Sequence, residues 1–164
     1  MRFLVFLLLS ASAGLAADLT TGQAARLVIG QPTFTAQQSG ASAEILGGAG
    51  GLAQAADMLF VTDANRVGAS PINHRVLIYK GLSSMLPGPT DKLAYSKRCP
   101  VCVGTATVVL GQPDFTRTEL GLSQQGMRLP TAVATDGTVL AVADTDNNRV
   151  QVLDATGHFL RHIG

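Results

Sequence analysis

The chain has no tryptophan, and its 164 residues include only two cysteines and three histidines. Aromatic residues make up 5% and charged residues 14%. Each scarcity removes a class of function. With so few rings, a stacking platform for carbohydrate has almost nothing to be built from. Twelve basic residues stand against eleven acidic ones with no basic run, which argues against nucleic acid or anionic lipid as the main partner. Two cysteines fall short of the four ligands that structural zinc takes. A nucleophile elbow, a Walker loop and a dinucleotide fingerprint are all absent. No segment of the mature chain sustains a 3.6-residue apolar period, so long helices are not expected.

What is present begins at the N-terminus. Met1-Arg2, the apolar run Phe3 to Leu9 and the small residues Ser10 to Ala17 have the three parts of a secretory signal peptide, with cleavage at Ala11-Ser12-Ala13 or Gly14-Leu15-Ala16. The alternative, a retained anchor, needs roughly 20 apolar residues, and the run is much shorter. The expectation is therefore a signal peptide over residues 1–16 and an exported product over 17–164, periplasmic or extracellular. Cleavage leaves 148 residues, enough for one domain. It also removes Arg2, so that eleven basic residues balance eleven acidic ones.

The dominant feature of the mature chain is a tandem self-match. Leu27-Val28-Ile29-Gly30-Gln31-Pro32-Thr33-Phe34-Thr35 returns 81 residues later as Val108-Val109-Leu110-Gly111-Gln112-Pro113-Asp114-Phe115-Thr116. At the same offset Met58 to Asp63 falls on Val139 to Asp144. His74-Arg75-Val76 then matches Asn148-Arg149-Val150 at an offset of 74, so the first copy carries seven extra residues within Ala64 to Asn73. Repeats with loop-confined insertions signal an array architecture.

Each copy reads as short strands separated by Gly, Asp, Asn and Pro. In the second copy the strands are Thr131–Thr135, Val139–Ala143, Arg149–Leu153 and Phe159–Ile163, joined by turn-forming segments such as Asp136-Gly137-Thr138 and Asp154 to His158. Val139 to Ala143 is apolar at every position, so both of its faces need cover. Four-stranded meanders stacked face to face supply that cover in a β-propeller.

The residues Pro130 to Gly137, Leu140 to Asp154, Gly157 and Phe159 resemble an NHL repeat, above all in Val142-Ala143-Asp144 and Asn148-Arg149-Val150. A weaker copy spans Gly50 to Tyr79, where Asp63 and Asn73-His74-Arg75-Val76 keep the pattern and glycines replace the Pro-Thr opening. The recurring Gly-Gln-Pro-Asp-Phe element is similar to one in secreted bacterial NHL proteins. The resemblance implies an all-β fold of propeller blades, two four-stranded antiparallel meanders plus one N-terminal closing strand. Blade one covers 50–111 with an insertion at 81–105, and blade two covers 130–164. The strand at 26–30 is expected to complete a last blade missing from the chain. Since two blades are too few for a ring, the expectation is the N-terminal part of a larger, six-bladed propeller. The competing reading is a small protein that covers its blade faces by self-association.

Candidate sites follow from the repeats. Asp63 and Asp144 end the second strands, where a carboxylate can accept backbone N–H bonds and pair with Arg75 or Arg149 across the hairpin that Asn148 helps to form. Asp144, Asp146 and Asn147 could alternatively gather around calcium, but their spacing is not that of an EF-hand. Cys99 and Cys102, in Cys99-Pro100-Val101-Cys102, read as a disulfide candidate in an exported chain; inert thiols, half a zinc ribbon and a redox dithiol are the alternatives. His74, His158 and His162 fall in a hairpin, a turn and an outer strand. Some NHL-type propellers are lyases with several histidines around a central metal, and here none of the three lies on a first strand, where Gln54 and Thr135 are the best groups available. No catalytic residue, metal or cofactor is assigned. The segment Val67 to Ile72 and the linker Gly81 to Gly104, with Lys80, Lys92, Lys97 and Arg98 on or beside it, lengthen blade one. They are either tolerated insertions or a recognition surface.

The functional expectation is a secreted, non-catalytic NHL propeller scaffold that binds a protein or cell-envelope ligand through its loop faces. The alternative is part of a propeller enzyme, lyase- or lactonase-like, with its active residues on blades outside this chain.

Overall fold

The computed structural model describes residues 21–22, 25–64, 71–86 and 103–164. Its elements are β1 (Val28–Ile29), β2 (Ala49–Ala55), β3 (Met58–Asp63), β4 (Arg75–Lys80), the one-turn helix α1 (Leu82–Met85), β5 (Val103–Gly104), β6 (Val108–Leu110), β7 (Pro130–Thr135), β8 (Val139–Asp144), β9 (Arg149–Asp154) and β10 (Phe159–Ile163). A single 3-10 turn, Thr145–Asn147, joins β8 to β9. The protein is all-β, and its strands form two four-stranded antiparallel sheets with the orders β2-β3-β4-β6 and β7-β8-β9-β10.

Turn chemistry sets the strand ends. Asp136 Oδ1 accepts the N–H groups of Thr138 and Val139, both at 2.8 Å, which stops β7 and restarts the chain antiparallel as β8. Those bonds hold the Asp136 carboxyl down to about 2, the Val139 N–H being the largest cause. Asp154 repeats the device between β9 and β10, accepting Thr156 and His158 N–H groups. The four strands expected in the second copy are present at nearly the anticipated limits. In the first copy the fourth strand is β6, which pairs with β4 through Val76↔Leu110 and Ile78↔Val108 across the long insertion.

Strand alternation gives each sheet a front and a back. The front of sheet one, with Phe60, Val76, Ile78 and Leu110, packs on the back of sheet two, with Val133, Leu140, Val142 and Leu153; Met127 completes this core. The back of sheet one carries Val61, Leu77 and Tyr79 and is covered by Leu46, Ala106, Ile29 and Met85 of the chain's own connections. The sheets come together most tightly at their first strands. A Cβ added at Gly51 would lie 2.8 Å from Ala132 Cα, so glycine there lets β2 and β7 meet backbone to backbone. This accounts for Gly50 and Gly51 in the first copy, where the second has Thr131 and Ala132.

Three expectations look different in the structure. The segment expected to complete a missing blade forms β1, and it pairs in parallel with β5 through Val28↔Val103 and Ile29↔Gly104. Ile29 joins the core behind sheet one, and burying it there is what holds the strand. The insertion at 81–105 is not merely a linker, because it contributes both α1 and β5. Cover on both faces of β8 was expected, yet only Leu140 and Val142 are sealed, while Val139 on the other face is 36% exposed. Residues 1–16, the insertion residues 67–70, and Cys99 and Cys102 lie outside the described residues. Among the described residues no helix is long and apolar enough to cross a membrane.

Candidate functional site

The two recurring aspartates occupy matching networks. Asp63, at the end of β3, is fully buried; its Oδ1 accepts the N–H groups of Gly47 and Gly48, both at 2.9 Å, and its Oδ2 accepts Asn73 Nδ2 and Arg75 Nε, both at 2.8 Å. Arg75 spends its remaining nitrogens on the carbonyls of Ile45 and Phe115. In sheet two Asp144 Oδ1 accepts Arg128 N–H, and Oδ2 accepts Asn147 Nδ2 and Arg149 Nε at 2.8 Å. Arg149 then donates to the carbonyls of Leu122, Ser123 and Gly126. A planar fork with five donors suits this task, since it neutralises a buried carboxylate and still ties down backbone carbonyls.

Asp63, Arg75, Asp144 and Arg149 therefore stand in the pairs anticipated for them. Asn148 is in the hairpin but outside the carboxylate network. It caps the 3-10 turn at φ +51° with its N–H on Thr145 O, and the neighbouring Asn147 meets Asp144. Asn73, not His74, is the counterpart in the first copy. Of the oxygens proposed for calcium, those of Asp144 are taken up by its donors, and Asp146 Oδ2 lies 3.7 Å from Arg128 Nε. Among the described residues no three His, Cys, Asp or Glu side chains gather closely enough to hold a metal ion.

Each arginine clamps the loop that precedes its sheet, Arg75 reaching Phe115 of the next loop as well, and the two loops are copies. Gln31 and Gln38 close the first through Gln38 N to Gln31 Oε1, at 2.8 Å, and Gln31 Nε2 to Gln38 O, at 2.7 Å. Gln112 and Glu119 repeat both bonds at the same spacing. Thr33 Oγ1 accepts the N–H groups of Thr35 and Ala36, where Asp114 Oδ1 accepts those of Thr116 and Arg117. Gly40 and Gly121 offer their carbonyls to Asn73 and Asn147, and Ser42 and Ser123 each cap a turn. Gly40 and Ser42 recur as Gly121 and Ser123 at the 81-residue offset, a signal in the sequence that the strand-based reading passed over.

His74 joins the two repeats. Its Nδ1 accepts Leu129 N–H at 3.1 Å and its carbonyl accepts Gln112 Nε2 at 3.2 Å. Burial, and then the Arg128 charge, push its pKa below the usual imidazole value, partly opposed by Asp146 and Asp144. His158 holds its Nδ1 against Thr156 and Asp154 in an exposed turn, and His162 lies beside Phe159 on β10. Gln54 and Thr135 bond to the adjacent backbone at Ala56 and Val139. None of these groups converges with another into a constellation able to activate a nucleophile.

Among the described residues a concavity lies between the sheets, and a second adjoins it in the loop after β6. The first, a cleft of about 210 Å³, opens at the outer side of the sheets, walled by β6, the loop after it, β9 and the β9–β10 turn. Gln151 of β9 forms part of it, and the Gln151 Oε1 is a buried acceptor for which no donor is placed.

No protein-family model matches the chain, and no curated protein matches it.

Proposed function

We propose that the chain is an exported, non-catalytic scaffold of NHL-type propeller blades that binds a protein or cell-envelope ligand through the loops at its sheet ends. The observation that carries this reading is how one repeat meets the next. The front of sheet one covers the back of sheet two, and positions equivalent to two in that interface lie open. Leu52 is 65% exposed where its counterpart Val133 is 9%, and Ala141 is half-buried where its counterpart Phe60 is sealed. Sheets with one front and one back each, meeting most closely along their first strands, stack with a constant turn, and a constant turn closes into a ring. The Asp–Arg clamps fix the approach of each connecting loop, which supports a scaffold role: their carboxylates are consumed by structural donors and are not available for chemistry. Export rests on the leader-like residues 1–16.

The test is to append a further copy of residues 111–164 in frame after Gly164. The added sheet is expected to cover Val139 and Ala141, slowing amide exchange in β8 and β9 and raising the melting temperature. Unchanged exchange, with the added copy unfolded, overturns the stacking. Stoichiometric zinc or calcium in the purified protein overturns the non-catalytic reading.

A further inference from the structure

We infer that His74 and Leu129 form an acid-operated latch between the two repeats: neutral His74 holds the Leu129 N–H across the junction, and protonated His74 releases it to Asp144. The closed state spans the repeat boundary. His74 lies just before β4, and its Nδ1 accepts the Leu129 N–H at 3.1 Å from the chain that leads into β7. A backbone N–H can only donate, so Nδ1 is bare and the proton of the neutral ring sits on Nε2. Leu129 reaches this acceptor in a left-handed conformation, at φ +48°. A leucine in that region is strained, and the following Pro130 favours an extended backbone instead.

The first repeat displays the open state. At the 81-residue offset Gly47 and Gly48 correspond to Arg128 and Leu129. Both glycine N–H groups donate to Asp63 Oδ1 at 2.9 Å, and Gly48 does not take a positive φ. In the second repeat the Arg128 N–H makes the matching bond to Asp144 Oδ1 at 2.6 Å, while the Leu129 N–H is turned to His74. Among the described residues Asp144 Oδ1 thus carries one backbone donor where Asp63 Oδ1 carries two, and the second position is ready for Leu129. Protonation forces the release, since a charged imidazole donates from both nitrogens and accepts at neither. Arg128 faces the ring from the loop, Asp146 from the 3-10 turn and Asp144 from the end of β8, whereas the neighbouring Arg75 turns its guanidinium to Asp63. Burial and Arg128 oppose the charge, the two carboxylates favour it, and the balance places the switch below pH 6.5. The Gln112 bond to the His74 carbonyl involves no titrating atom, so the change is confined to the end of the loop after β6. Loops are the proposed binding surface, and acid alters what this one offers; the switch itself requires no ligand.

NMR of the full chain between about pH 7.5 and 4.5 tests the latch, because Leu129 reports both its partner and its φ. At the upper end a strong intraresidue HN–Hα Overhauser effect at Leu129, the mark of a positive φ, and a His74 protonated on Nε2 are expected. As His74 titrates, that Overhauser effect should weaken and the Leu129 amide and Asp144 carboxyl signals should shift with the imidazole midpoint, while the amides of β3 and β9 hold. Leu129→Gly relieves the strain of the closed state, so the His74 midpoint should fall by about one pH unit. His74→Ala should show the open-state Leu129 signals at every pH. A Leu129 that stays unchanged as His74 titrates overturns the inference. So does a midpoint unchanged or raised in Leu129→Gly, closed-state signals in His74→Ala, or the loss of all sheet signals together, which is unfolding and not a switch. The titration of the unmodified chain decides even if a variant does not fold.

Discussion

The two repeats share one plan and differ in how dry they are. In the first, Asp63 and Arg75 are fully buried, Phe60 is sealed, and the space behind the sheet is packed by β1, α1 and the segment around Ala106. In the second, the Arg149 side chain is 11% exposed, an alanine stands where Phe60 would be, and glutamine replaces Leu77. The same hydrogen-bond pattern survives both settings. The lesson is that the Asp–Arg clamp specifies how a loop enters its sheet, while the residues around it decide whether that sheet presents core, open face or cleft.

Substitution at the clamps separates the copies most widely. Arg75→Ala is expected to cost about 3–5 kcal/mol in urea unfolding, because the fully buried Asp63 charge loses its counter-ion and keeps only the neutral donors Gly47, Gly48 and Asn73. Arg149→Ala should cost about 2–3 kcal/mol, because its side chain is 11% exposed and the site is wetter. Equal losses would mean that burial does not distinguish the repeats. Removing Asp63 together with Arg75 should return part of the loss, and a double-mutant cycle reads the coupling.

Gly51→Ala comes next, at about 1–3 kcal/mol, since its Cβ must push against the β7 backbone. An unchanged melting curve would disprove the close approach of the first strands. Gln112→Ala should then cost about 1–1.5 kcal/mol and Gln31→Ala less than about 1, because only Gln112 also reaches His74. A larger loss at Gln31 would reverse the ranking of the two loops.

The junction between repeats should respond to acid. His74 has a folded pKa below its unfolded value of 6.5, so its contribution is complete above pH 6.5 and is lost as pH falls through the folded value. Protonation places a hydrogen on Nδ1, which can then no longer accept Leu129 N–H. The melting temperature should drop between pH 7 and 5, and His74→Gln should flatten that slope; parallel profiles would remove His74 from the junction. The smallest effect is expected at Leu52→Ser, within about 0.5 kcal/mol for an exposed residue, against about 1–2 kcal/mol for Val133→Ala.

Much of this was legible before any coordinate. The apolar run Val139 to Ala143, the Asp136-Gly137 and Asp154 turns and the 81-residue offset locate the strands of sheet two, because turn chemistry and period-two patterning are local. The Asp–Arg pairs were legible from their recurrence. The closing of the Gln112 loop on Glu119 was not, since a glutamine after a glycine has no local reason to bond seven residues on. Parallel pairing of Val28 with Val103 was hidden for a similar reason: two-residue strands carry no period, and only the core behind sheet one holds them together.

By itself the sequence settled that this chain is built from sheets, that it is a repeat, and which carboxylates and guanidinium groups recur, because spacing and turn residues act over a few neighbours. Only the tertiary structure decided which face of each sheet is covered, that Asn147 and not Asn148 meets Asp144, and that a cleft lies beside Gln151. Those outcomes depend on what packs against a strand from across the chain, and the alternation of side chains says that a face must be covered without saying by what.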